Sequence, residues 1–154
     1  DHVEKSDVSL EFVLTNFQLA DIFTKLREEQ FNFIRQKLGI INIGGDSVRN
    51  GLWDHAAYNA AKGGVHALTT GLAREFAKYD ITVNTIAPPA VESEPLENIR
   101  KKDPELAEKY IGIIPKGRGA FEEEIADSVW YLATENARFI TGQVISVNGG
   151  STML

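Results

Sequence analysis

Apolar and polar positions repeat along this chain on two periods, and the changes of period mark its elements. From Val8 to about Lys37 the apolar residues include Leu10, Val13, Leu14, Phe17, Ile22, Phe23, Leu26, Phe31, Phe33 and Ile34, with Leu38 just beyond. Steps of three and four dominate, which predicts a long amphipathic helix. Ser6 or Asp7 would cap it, Asp7 and Glu11 would sit near its positive end, and Gly39 would stop it. Val8, Leu10, Phe12 and Leu14 also alternate, so a strand at the start stays open. "GIINI" (39–43) reads as a short buried strand, and "GGDSVRNGLWDH" (44–55) as a loop by its Gly, Asp and Asn content. A second helix is expected from about Ala56 to Lys78, with Val65, Leu68, Leu72, Ala73 and Phe76 on one face. "ITVNTIA" (81–87) is a second buried strand, ended by Pro88 and Pro89. Glu92 to Tyr110 reads as loop plus a mobile helix. Glu122 to Thr134 is amphipathic, with Ile125, Val129, Trp130 and Leu132 inward, and "GQVISVNGG" (142–150) is a last strand. Strands alternating with helices predict an α/β fold, a parallel sheet with helices packed on its faces. No repeat or low-complexity linker divides residues 1–154, so a single domain is expected.

Composition narrows the function. Net charge is −6, from 22 acidic and 16 basic residues, which argues against a nucleic-acid partner. No apolar run approaches the roughly 20 residues of a membrane helix, and the opening "DHVEKSD" is too polar for a secretory signal. The expected location is cytoplasmic, with no membrane partner. There is no cysteine, hence no disulfide or thiol chemistry. His2, His55 and His66 are too dispersed to suggest a metal site.

The chemistry gathers at "YNAAKGG" (58–64). Tyr58 and Lys62 are one helical turn apart and share a face. A phenol ordinarily titrates near pH ~10, and an ammonium held beside it stabilises the phenolate and lowers that value. A tyrosine tuned this way can exchange a proton with an alcohol or a carbonyl. Ala60, Ala61, Gly63 and Gly64 would let a flat ligand or another helix approach the backbone. Helices also carry Tyr-x-x-x-Lys by chance, so the weight lies in what flanks the pair.

What flanks it resembles the short-chain dehydrogenase/reductase (SDR) family, from about Ser6 to Gly150. "GIINI" looks like the strand before the family's active-site loop, and "YNAAKGGVHALTTGLAREFA" is similar to its catalytic helix. "ITVNTIAPPAVES" resembles the next strand and the Pro-Gly loop that holds the nicotinamide. "IPKGRGAFEEEIADSVWYLATENARFITGQVISVNGG" looks like its last helix and strand. The resemblance implies hydride transfer between NAD or NADP and a small-molecule alcohol/carbonyl substrate. Tyr58 would be the general acid/base. Lys62 would lower its pKa and hold the nicotinamide ribose. Asn16, in "VLTNFQL", is similar to the asparagine that anchors a water in the proton relay; a helix-surface amide is the other reading. Pro88, Val91 and Ser93 fall where the family touches the nicotinamide carboxamide. The long first helix, the catalytic helix and the last helix and strand are the family's subunit contacts, which implies a homodimer or homotetramer.

Three departures stand against that pattern. Thirteen residues before Tyr58, where the family has its substrate-orienting serine, stands Gly45. Ser47 would supply the hydroxyl only from a rearranged loop; its other reading is a turn or cap serine. The Pro-Gly pair is Pro88–Pro89, and a second proline removes an N–H. The family's opening strand and glycine-rich turn, Thr-Gly-x-x-x-Gly-x-Gly, which cradles the pyrophosphate, has no counterpart in the sequence. The expectation is the C-terminal portion of a Rossmann-like fold, as a fragment or a shortened relative. The alternative is a degenerate relative kept as a non-catalytic oligomerising module. Without the missing strands, Ile40 to Ile43 would lie at a sheet edge.

Overall fold

A computed structural model describes residues 39–153. The long first helix and Asn16 lie outside the described residues.

Three strands form a parallel sheet in the order β1 (Gly39–Ile43), β2 (Thr82–Ala87), β3 (Val144–Ser146). Among the described residues β1 is an edge strand, as expected. Its register sets Asn42 beside Thr85 and Ile43 beside Ile86. Alternate residues of a strand face opposite sides, and here the two sides are covered by different helices. Ile86 faces α5 (Glu122–Ala133), packing with Val129 and Leu132 into an apolar core joined by Ile41, Ile125 and Ile145. Thr85 faces α2 (Ala56–Phe76), and its hydroxyl meets that of Thr69 at 2.6 Å. Thr69 also donates to the Val65 carbonyl and accepts from Asn42 Nδ2.

This second interface is polar and fully bonded. The apolar stripe expected on α2 is therefore displaced: Thr69 and Ala73 are its buried residues, while Val65, Leu68, Leu72 and Phe76 are half-buried. A buried hydroxyl with partners on both sides costs little, so the period of apolar residues passes over it. On α5 a similar correction applies to Trp130, which is 59% exposed. Val129 and Leu132 already point at the sheet, and their intervening neighbour turns away.

Two segments gain structure over the sequence reading. Within the loop after β1, Ser47–Asn50 form a single helical turn, α1, closed by Gly51 at φ 67°, a left-handed position that favours glycine. Arg49 of α1 reaches β3, donating to Ser146 Oγ at 2.6 Å and to the Val144 carbonyl at 2.7 Å. The charged stretch after β2 is two helices, α3 (Glu94–Lys102) and α4 (Pro104–Ile111). Glu94 and Glu97 sit in the first turn of α3 and Arg100 to Lys102 in its last, matching its dipole. Asp103 caps α4, accepting the Leu106 N–H at 3.0 Å.

Candidate functional site

The carboxyl ends of β1 and β2 and the start of α2 converge on one place. Lys62 leaves α2 to donate from Nζ to the Ile43 carbonyl at 2.8 Å, while standing 5.9 Å from the Tyr58 ring centroid. Burial of the half-covered Tyr58 phenol raises its pKa above the ordinary 10.0. The expectation that the ammonium would lower it is not what the structure has. Lys62 is engaged with a backbone oxygen at the sheet edge, and loss of water around the phenol governs.

The chain leaves β1 through Gly44 and Gly45, pressed onto α2. Gly44 N–H donates to the Ile86 carbonyl at 2.8 Å, and Gly45 N–H to His66 Nε2 at 3.4 Å. A Cβ on Gly45 would lie 2.9 Å from the Tyr58 hydroxyl oxygen, and one on Gly44 would lie 2.7 Å from Thr85 Cγ2. Both glycines are required by close approach. The family's serine therefore does not fit at position 45 with the loop and Tyr58 as they stand. Ser47 donates to Asn59 Oδ1 at 2.6 Å, a tie between α1 and α2 that suits its reading as a turn serine.

A cleft of about 370 Å³ opens beside these groups. Tyr58, Ser47, Pro88, Val91 and Ser93 all line it, so five of the seven residues singled out from sequence meet there. Lys62 stands behind them, and Asn16 is outside the described residues. Ser93 Oγ donates to the Val91 carbonyl at 3.1 Å. Leu52, Leu96, Ile99 and Ile113 add apolar lining, with an aromatic cluster. There the His55 ring stands edge-on to Tyr58 at 5.5 Å and to Tyr110 at 5.3 Å. His55 Nδ1 is 3.0 Å from the Trp53 carbonyl, which as an acceptor calls for the Nδ1–H form.

Two carboxylates brace the cleft. Asp46 is buried and accepts from Asn148 Nδ2 at 2.9 Å, Thr152 Oγ1 at 2.9 Å, Asn50 Nδ2 at 3.1 Å and the Ser151 hydroxyl. Four neutral donors thus satisfy one buried anion and bind the loop after β1 to the loop after β3. Glu92 accepts a two-pronged bond from Arg100 at 2.6 and 2.8 Å and the Gly119 N–H at 2.9 Å. The Arg100 bonds hold its carboxyl below the ordinary range and tie α3 to the turn bearing Val91 and Ser93. Sequence reading missed His55, Asp46, His66 and Glu92; of these only His66, four residues after Lys62, carried a signal in its spacing. Among the described residues no group of three or more His, Cys, Asp and Glu is placed to hold a metal. None of the described helices is long and apolar enough to cross a membrane.

A family model described as enoyl-(acyl carrier protein) reductase matches residues 20–152. The chain belongs to the short-chain dehydrogenase/reductase family. Within it, the chain is 64% identical over 120 residues to the 2,3-dihydroxy-2,3-dihydro-p-cumate dehydrogenase of Pseudomonas putida, covering 78% of this chain and 46% of that protein. It is 37% identical over 136 residues to a 3-oxoacyl-(acyl-carrier-protein) reductase of Staphylococcus aureus, covering 88% of this chain and 54% of the reductase. Among solved SDR structures it is similar to an angucycline C-6 ketoreductase with bound NADP, at TM-score 0.67 and 28% identity, covering 83% and 56% of the two chains. It is also similar to a short-chain type dehydrogenase/reductase from Mycobacterium ulcerans, at TM-score 0.70 and 25% identity, covering 80% and 46%. The chain spans about half the length of the curated relatives it matches. The three-stranded parallel sheet with a helix on each face is accordingly the C-terminal portion of a Rossmann-like SDR fold.

Proposed function

We propose that this chain carries the proton-transfer site and the substrate wall of an NAD(P)-dependent oxidoreductase that oxidises one alcohol of a cyclic diol. The observation that carries the reading is Tyr58, one turn from Lys62, lining a cleft that Leu52, Leu96, Ile99 and Ile113 also line. The substrate class follows from the 64% identity to an enzyme named for a dihydroxy-dihydro ring compound. It also follows from the apolar and aromatic lining, which suits a compact ring better than a charged chain.

Tyr58 takes the hydroxyl proton of the carbinol carbon that loses its hydride. Ser47 and Ser93 face the same cleft with groups able to orient the diol. In a dihydro ring that keeps two C=C bonds, the ketone formed beside the second hydroxyl tautomerises to an aromatic diol, which draws the oxidation forward. A bound nicotinamide cofactor supplies the hydride acceptor. Tyr58, Pro88, Val91 and Ser93 would hold its nicotinamide end, and Lys62 its ribose; the cleft has the room and the polar groups for that end. Lys62 would then exchange the Ile43 carbonyl for the cofactor.

The reading includes a homodimer or homotetramer working in the cytoplasm. Trp130, Tyr131, Phe139 and Met153 expose large apolar surfaces that a second copy would cover. The test is a chimera in which residues 39–153 replace the matching part of the Pseudomonas putida relative. Oxidation of a cyclohexadiene diol, with equal amounts of aromatic diol and reduced nicotinamide, is expected. A chimera that binds cofactor yet leaves the diol untouched would overturn the reading.

A further inference from the structure

Tyr58, Lys62 and His66 follow each other at four-residue steps along one face of α2. The reaction proposed above uses the first two and leaves His66 without a task. Its ring is half-buried against the loop after β1, and Nε2 accepts the Gly45 N–H at 3.4 Å. Two residues earlier Lys62 holds the Ile43 carbonyl. Consecutive residues of one helix face therefore grip the backbone just where β1 ends. The grip reaches the reacting group, because the Cα of Gly45 abuts the Tyr58 ring: a Cβ there would stand 2.9 Å from both Tyr58 Cε1 and its hydroxyl oxygen.

We propose that His66 is a positioning residue for proton transfer at Tyr58: the neutral imidazole accepts the Gly45 N–H, holds the Gly44–Gly45 backbone against the phenol, and lets it go on protonation. This rests on the reading of Tyr58 as the general acid/base.

The switch follows from donor and acceptor chemistry. A backbone N–H only donates, so the bond needs a lone pair on Nε2 and places the ring proton on Nδ1. An imidazolium carries protons on both nitrogens, and two N–H groups would then face each other. The charged groups around His66 are Arg49 on α1, Lys62 on its own helix and Asp46 in the loop. Strands β1 and β2 bring no titratable side chain. Burial first, then Arg49 and Lys62, hold His66 below the ordinary 6.5, against a smaller opposing pull from Asp46. The contact is thus made at neutral pH and lost in acid. Glycine at 44 and 45 is what allows the backbone to come close enough to be held by an imidazole.

The experiment uses the 154-residue chain, labelled for nuclear magnetic resonance, with His66→Gln and His66→Leu beside it. Three signals are followed from neutral to acid pH: the His66 ring carbons, the Gly45 amide and the Tyr58 ring. The Gly45 amide and the Tyr58 ring are expected to move with the His66 midpoint. In His66→Gln, whose amide oxygen accepts at every pH, both stay near their neutral-pH positions. In His66→Leu both are displaced throughout. In diol oxidation by the chimera, His66→Leu lowers kcat by about tenfold with cofactor KM unchanged, while His66→Gln keeps kcat and loses only the added fall at the His66 midpoint, leaving the slope set by Tyr58. A Gly45 amide or a Tyr58 ring that ignores the His66 titration overturns the proposal. So does a break in rate at the His66 midpoint that persists in His66→Gln, over and above the slope that Tyr58 itself sets. If the three signals titrate together in a protein without turnover, the positioning contact is supported, and it is the catalytic reading of Tyr58 that falls.

Discussion

Lys62 donates to the Ile43 carbonyl at 2.8 Å, joining the middle of the tyrosine face to the end of the edge strand. Its ammonium thereby bonds a backbone oxygen, and burial is what shifts Tyr58. The sign of that effect sets a pH dependence. Tyr58 titrates above 10.0, so the phenolate that accepts a proton is scarce at neutral pH. For diol oxidation, kcat/KM, which reports groups of the free enzyme, should rise steadily with pH from neutral to beyond pH ~10. Carbonyl reduction, which needs the phenol, should stay level over that range. A pH–rate series in both directions checks this.

The pair of glycines gives a structural prediction. In Gly44→Ala the new Cβ meets His66 Nε2 and lies 2.7 Å from both His66 Cδ2 and Thr85 Cγ2. Overpacking of this kind costs about 1–3 kcal/mol. Urea unfolding should show that loss. Gly45→Ser restores the family's hydroxyl but drives a Cβ against Tyr58, so activity should fall and not rise.

Asp46 has its donors on two distant loops, and Asp46→Asn would turn an amide N–H₂ toward some of them. Leaving buried donors facing a donor costs about 1–3 kcal/mol. Hydrogen exchange should locate the damage in residues 148–152, far along the sequence from the substitution.

Glu124 predicts a pH-dependent contribution to stability. Arg118, and then the Phe121 N–H, lower its carboxyl from the ordinary 4.5 to about 2. A depressed folded-state pKa gives stability present above the unfolded value and lost as pH falls through the folded one. Glu124→Gln should therefore lower Tm at neutral pH, and the gap to the native protein should close between pH 4.5 and about 2. Thermal melts across that window read it out.

How far the sequence discloses this molecule depends on where a residue's partners lie. Strands β1 and β2 are legible because their runs are apolar and β-branched, but only β2 is buried as expected; β1, at the sheet edge, is half-buried with Ile43 exposed. Helix α2 is legible from its spacing, yet Thr69 is not, because its burial is made tolerable by Asn42 and Thr85, which belong to two different strands. Trp130 misleads by its size, since hydrophobicity alone does not say on which side of Val129 it falls. Tyr58 and Lys62 announce themselves by their step of four. Where the ammonium of Lys62 goes is a tertiary fact, fixed by the end of β1. Asp46 reads as an ordinary loop aspartate until β3 brings Asn148, Ser151 and Thr152 beside it. Ser47 lines the cleft and also ties α1 to α2 through Asn59, a partner that its place in the sequence does not reveal.

The measurement that bears most directly on the account is the turnover of Tyr58→Phe against the native residue in the same chimera, with cofactor affinity followed by nicotinamide fluorescence. Loss of a positioned proton acceptor predicts a fall in kcat of about 10²–10⁴-fold with cofactor affinity essentially kept. Equal turnover in the two proteins would contradict the assignment of Tyr58 and with it the proposed chemistry of the cleft.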